Sequence, residues 1–305
     1  MRLSHPRPPA LVIGLALAVT LLLGACGSGA TPPTGTPDGK ISVVASTNVY
    51  GSIAEAVGGE LVSVHSIINK PGADPHSYEA NAQDKLALSK AAVGIENGGG
   101  YDDFFVQLAK GTLTPEQILN VSDLSGLDTG ADFNEHLWYS LPTMALVADN
   151  LAARFTAAKP AQSAAFTANA AAFKDHLSAL ETRLGALQAS HGGKGVAITE
   201  PVPLYLLEQA GLMNKTPTEF SLAVENGSDV PATAMVDTVD LMGSGTIALL
   251  AYNNQTEGPQ TKAVKATAQK AGVPVLDFSE TLPASMDYIQ WMDANVAQLE
   301  NALGR

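Results

Sequence analysis

The sequence has a single cysteine in 305 residues. That excludes an internal disulfide and any zinc site built from cysteines. It also lacks an apolar run of spanning length. Ala10–Gly24 is uninterrupted but short, because a transmembrane helix needs roughly 20 apolar residues. Positive charge is scarce too, with 17 Lys and Arg against 30 Asp and Glu and a net charge of −13. Such a balance argues against nucleic acid or anionic lipid surfaces as partners and makes a cation a natural one. The apolar content of 46% against 15% charged residues fits a globular chain and not a disordered one.

What is present begins with a processing segment. Arg2 and Arg7 precede an apolar stretch of signal-peptide length. It ends in Leu23-Gly24-Ala25-Cys26, which resembles a bacterial lipobox. We therefore expect residues 1–25 to be a signal peptide, Cys26 to carry a lipid, and residues 26–39 to be a flexible tether. A chain anchored this way lies on the outer side of the cell membrane instead of crossing it. Losing Arg2 and Arg7 leaves 15 positive against 30 acidic side chains, a net charge of about −15.

Beyond Lys40, short β-branched runs alternate with helix-length segments. Ile41–Ser46, Leu61–Ile68 and Ala91–Ile95 read as strands, with helices at Tyr50–Val57 and Asn81–Lys90. A second set follows, with strands at Gly195–Thr199, Thr246–Tyr252 and Val273–Phe278. Its helices fall at Pro203–Ala210, Pro231–Met242, Gln260–Ala271 and Ser285–Leu303. Alternation of this kind predicts βαβ units and parallel sheets. Between the two sets, Phe166, Ala170, Phe173, Leu177, Leu180, Leu184 and Leu187 recur in steps of four and three, a helical stripe. A helix over 162–188 would be about 40 Å long. The expected fold is thus α/β, with two lobes, each a mostly parallel sheet flanked by helices, joined by one long backbone helix. The expected boundaries are 40–141 for the first lobe, 142–190 for the helical linker and 191–305 for the second lobe. The stripe has an alternative reading as a coiled-coil dimer seam.

Of six histidines, His5 falls in the signal peptide, while His65, His176 and His191 read as strand, helix-surface and helix-end residues. His76 and His136 lie in loops with acidic or aromatic neighbours. In open α/β sheets, ligands bind beyond the carboxyl ends of the strands. His76 follows the strand ending at Ile68, and His136 follows the apolar run Ile118–Val121. Glu200 follows the strand ending at Thr199, and Glu280 follows Phe278. Two imidazoles and two carboxylates at equivalent ends would suit a divalent first-row metal. Each acid also has a plainer reading, as a helix N-terminal carboxylate.

These segments resemble the manganese/zinc-type solute-binding lipoproteins of bacterial ABC transporters, from about Lys40 to the C-terminus. "PGADPHSYEAN" is similar to the first-histidine loop of that family and "IENGGGYDDF" to the turn after its next strand. "EHLWYSLP" resembles the second-histidine segment, "ITEPVPLYLLEQAGL" the third-ligand segment and "VPVLDFSETLPASMDYIQWM" the last one. The resemblance implies one Mn²⁺ or Zn²⁺ as transported ligand, held by His76, His136, Glu200 and Glu280, with Asp277 competing with Glu280. It implies capture of the ion outside the membrane by a monomer and its delivery to an integral-membrane permease with its ATPase. It implies no enzymatic activity. Glu at the third position, and an acidic loop at 122–135 without histidine, lean the site toward manganese. Asp74 or Glu79 is expected to orient His76. Two other functions fit fewer features: a metal-dependent hydrolase, or an adhesin that uses the long helix.

Overall fold

Parallel strands with helical crossovers build both halves of the chain. The computed structural model describes residues 39–70, 78–128, 130 and 133–304. The expected signal peptide, the lipid attachment at Cys26, nearly all of the tether, and Asp74 and His76 lie outside the described residues. The first lobe runs β1 (Ile41–Thr47), α1 (Asn48–Gly58), β2 (Val62–Ile68), α2 (Ala82–Leu88), β3 (Val93–Glu96), α3 (Asp103–Ala109), β4 (Ile118–Asn120) and α4 (Val121–Ser125). Two long helices follow, α5 (Leu141–Ala158) and α6 (Ser163–His191). The second lobe runs β5 (Gly195–Ile198), α7 (Leu204–Gln209), β6 (Met213–Asn214), α8 (Thr218–Glu225), α9 (Ala232–Gly243), β7 (Ile247–Asn253), α10 (Pro259–Lys270), β8 (Val275–Phe278) and α11 (Tyr288–Leu303).

The two sheets share one topology. Their orders are β2-β1-β3-β4 and β6-β5-β7-β8, and each described pairing is parallel. The strand order reverses between β1 and β3, where Ala45 pairs with Ile95, and between β5 and β7, where Ile198 pairs with Ala251. Crossovers leave such a point in opposite directions and open a crevice at the carboxyl ends of the strands. The central strands are buried on both faces, as in Val43, Val44 and Ala45 of β1, which explains their continuous apolar runs.

The stripe on α6 is buried along its whole length. Phe166, Ala170, Phe173, Leu177, Leu180, Leu184 and Leu187 are its buried residues, and α6 packs against α1, α5, α7 and α11 of the same chain. The apolar stripe that a coiled-coil seam would need is therefore covered within the chain. The same contiguous apolar core includes Ile53 of α1, Phe155 of α5, Ile198 of β5 and Val296 of α11, so both lobes share it. Arg183 clamps α6 to α11, donating to both carboxylate oxygens of Glu300 at 3.1 and 3.0 Å.

Element edges differ from the sequence expectation for local reasons. Gly59–Leu61 form a 3₁₀ turn, so β2 starts at Val62. The last helix starts at Tyr288 and not at Ser285. Asp287 caps it in a reciprocal box with Gln290, while Ser285 takes a left-handed φ of 65°. The short elements α3, α4, α8 and β6 have too few residues to show a period. Among the described residues, no helix is long and apolar enough to cross a membrane.

Leu184 is fully buried where α6 meets the shared core. Leu184→Ala should cost about 2–5 kcal/mol of stability in denaturant melts. Light scattering should show the same mass at every concentration for parent and variant alike.

Candidate functional site

The crevice between the lobes is a cavity of about 610 Å³. Its lining includes four carboxylates, Glu135, Glu200, Glu225 and Glu280, and, among the described residues, no lysine or arginine. Each acid is brought in by a different piece of the fold. Glu200 follows β5, Glu280 follows β8, Glu225 ends α8, and Glu135 precedes the 3₁₀ turn Leu137–Tyr139. Glu200 and Glu280 are 2% and 7% exposed, far drier than free carboxylates tolerate without partners.

Glu280 receives a hydrogen bond from Asn253 Nδ2 at 2.9 Å and one from Tyr101 Oη at 3.3 Å. The second of these crosses from the first lobe. Its backbone N–H donates to Gln255 Oε1 at 2.8 Å, which fixes the loop after β8. Asp277, the competing acid, is 55% exposed and 3.7 Å from Lys265, away from the cavity. Thr256 donates to Glu200 Oε2 at 2.5 Å. Burial pushes the Glu200 carboxyl up to about 8, against the Thr256 bond, with the charges of Glu225 and Glu280 adding to the rise.

His136 is buried and oriented by Asn134. The Asn134 side-chain amide donates to Pro201 O at 3.1 Å. Its Oδ1 therefore accepts from His136 Nδ1–H at 2.7 Å, since a carbonyl oxygen has no proton to give. The imidazole is thereby held in one tautomer, with the proton on Nδ1 and Nε2 as the nitrogen that can donate a lone pair. Nε2 lies 3.5 Å from Glu225 Oε1. Trp138 meets the ring edge-on at a centroid distance of 5.2 Å. Tyr205 of α7 donates to Asn134 O at 2.7 Å, so two bonds from the second lobe hold the histidine loop of the first.

The turn after β3 supports the same loop. Asp102 accepts from Asn97 N at 2.7 Å and Gly98 N at 2.9 Å. Asn97 in turn donates to Glu135 O at 2.9 Å and accepts from Tyr50 Oη. Gly98 and Gly99 take φ of 75° and 66°, and a Cβ on Gly99 would stand 2.2 Å from the Phe133 ring. The glycine run is thus a folded turn and not a phosphate loop.

Of the expected ligands, the structure brings Glu200 and Glu280 to one cavity and turns His136 toward Glu225 on its rim. His76 lies outside the described residues. Among the described residues, no three His, Cys, Asp or Glu side chains form a ready ligand set. Glu79, offered as a partner for His76, is exposed. His65 and His176 are also exposed, and His191 is half-buried. Sequence reasoning missed Glu225, Asn134, Asn253 and Thr256. A lone Glu at the end of an eight-residue helix carries no periodic signal. Only the Asn226-Gly227 stop beside it marks the place.

A carboxyl with a raised pKa costs stability as pH climbs from its ordinary value toward the raised one, because the unfolded chain releases the proton first. For Glu200 that window runs from 4.5 to about 8. In chelator, the melting temperature should fall across it, and Glu200→Gln should flatten the fall and raise the melting temperature at the upper end. An unchanged slope in the variant would refute the assignment.

Comparison with known proteins agrees with this architecture. Residues 43–302 match the family described as "Zinc-uptake complex component A periplasmic". The manganese-binding lipoprotein MntA of Bacillus subtilis is 29% identical over 156 residues, 49% of this chain and 50% of that one. The iron ABC transporter substrate-binding lipoprotein MtsA of Streptococcus pyogenes serotype M1 is 30% identical over 162 residues, 49% and 51% of the two chains. The chain thus spans about half the length of the curated relatives it matches. The periplasmic zinc binding protein TroA from Treponema pallidum superposes with a TM-score of 0.73 at 19% identity, over 88% of this chain and 100% of that one. FpvC from Pseudomonas aeruginosa, solved in complex with Mn²⁺, gives 0.71 at 20% identity, over 87% and 98%. Likeness at that identity speaks for the fold, and the match over residues 43–302 speaks for more: the chain belongs to the zinc-uptake complex component A family of periplasmic proteins.

Proposed function

We propose that this protein captures one divalent transition-metal ion outside the cell membrane and hands it to an ABC permease with its ATPase. The observation that carries the reading is the carboxylate-lined crevice, with no basic lining residue among the described residues, beside an imidazole locked with Nε2 outward. Carboxylates at such close quarters repel one another, and a dication answers that repulsion. The ligands are His76, His136, Glu200 and Glu280. Burial and cavity lining favour Glu280 over the exposed Asp277.

The cargo is Mn²⁺ or Zn²⁺. Relatives named for manganese and iron, and fold neighbours named for zinc or solved with Mn²⁺, support a transition metal as the class. Two or more carboxylate donors suit the harder Mn²⁺, but the same site binds Zn²⁺ more tightly in absolute terms. Selection in the cell then depends on geometry and metal supply. A core shared by both lobes opposes wide hinge opening, so release proceeds by local movement of the ligand loops. Lipidation at Cys26 keeps the protein at the membrane, where a monomer meets its permease.

The chain lacking residues 1–26 should bind one divalent ion in titration calorimetry. His76→Ala combined with Glu280→Ala should abolish binding, and unchanged affinity in that double variant would defeat the proposal. Asn134→Ala frees the His136 ring while leaving every ligand in place, and should weaken binding about 10–100-fold.

A further inference from the structure

We infer that Glu225 is a further ligand for the captured ion and biases the site toward Mn²⁺; this rests on the metal-capture reading above. The starting point is a distance. Glu225 Oε1 and His136 Nε2 lie 3.5 Å apart. Two atoms at that separation, each about 2.1 Å from one ion, subtend roughly 110° at it, an angle adjacent ligands adopt. The tautomer set by Asn134 leaves Nε2 without a proton, on the Glu225 side of the ring. Glu225 also lines the cavity with Glu200 and Glu280.

The second observation is how the fold holds this carboxylate where electrostatics opposes it. Glu225 is the last residue of α8, with no basic residue in the last turn, and a helix C-terminus carries partial negative charge that disfavours an anion. The neighbouring carboxylates disfavour it again. The chain nevertheless fixes the spot firmly. Phe220 is fully buried and roots the helix. Beyond Glu225, Gly227 takes φ of 61°. Ser228 N then donates to Ala223 O at 2.8 Å and Gly227 N to Val224 O at 3.0 Å. These are the two bonds of a Schellman stop. Asn226 Nδ2 and Ser228 Oγ add bonds to Leu222 O and Ala223 O at 2.7 and 3.1 Å. A rigid stop that carries an acid into an acidic crevice is a device for meeting a cation.

The consequence is selectivity. Zn²⁺ is satisfied by four donors, whereas Mn²⁺ favours a larger, oxygen-rich shell. A carboxylate beyond the four expected ligands therefore stabilises Mn²⁺ more than Zn²⁺.

The test measures Mn²⁺ and Zn²⁺ affinities by competition titration for the parent chain lacking residues 1–26, Glu225→Ala, Glu225→Gln and the control Glu219→Gln, which changes an exposed acid on the same helix. Glu225→Ala should weaken Mn²⁺ binding about 10-fold or more and Zn²⁺ binding less. X-ray absorption of the Mn²⁺-loaded variant should show a changed oxygen shell. Glu225→Gln should fall between, with a melting temperature in chelator no lower than the parent's, and Glu219→Gln should match the parent. Equal losses for both ions, no loss, or tighter binding in Glu225→Ala overturn the inference; tighter binding would mean that Glu225 merely pairs with His136 and competes with the ion. Should the parent bind neither ion, the metal-capture reading itself falls. If the parent binds and only the Glu225 variants are silent, this inference alone fails.

Discussion

Negative charge concentrated in a dry crevice is the constraint that the rest of the molecule is arranged around. Glu135, Glu200, Glu225 and Glu280 line one cavity with no basic residue among its described lining, and Glu200 carries the cost in its raised pKa. Left to relax, such groups would move apart or turn out to solvent. The two most buried do not, because neutral donors from the frame tie them: Thr256 to Glu200, and Asn253 and Tyr101 to Glu280. Neutral hydrogen-bond donors hold the oxygens without cancelling their charge. Arginines in the same places would have neutralised the crevice.

That arrangement needs a frame that resists repulsion, and the shared core supplies it. The stripe of α6 is buried against helices of the same chain, and its core extends into both lobes. Cross-lobe hydrogen bonds add to it near the crevice. Tyr139 donates to Ser279 O at 2.8 Å, Tyr288 to Trp138 O at 2.6 Å, and Asn48 accepts from Leu282 N at 3.1 Å. Wide opening would break the apolar contact and these bonds together. On the proposed function, the movement that would free the ion therefore falls to the loops after the strands.

Much of this frame was legible beforehand. The seven stripe positions named from spacing are the seven buried residues of α6, because a 3.6-residue period records which face a helix hides. The strand runs were visible because strands buried on both faces must be apolar throughout. His136, Glu200 and Glu280 stood out because each follows a strand, and strand ends are where an open sheet presents ligands. Glu79 lacks such an anchor and is exposed, and Asp277 could be separated from Glu280 only by seeing which face each occupies. Asn134, Thr256 and Asn253 were illegible since a neutral hydrogen-bonding residue in a loop looks like any turn former. Glu225 was hidden for the same reason, at the end of a helix too short to show a period.

The sequence by itself determined the fold class, the long helix and its buried face, and the loops in which ligand-type residues fall, because burial leaves a periodic trace in residue order. Only the tertiary structure decided which side chains share the crevice, which nitrogen of His136 faces it, and that Glu225 joins it from α8. Those outcomes depend on contacts between residues as far apart as Tyr101 and Glu280, or His136 and Glu225, and no local pattern in the chain encodes a distance between them.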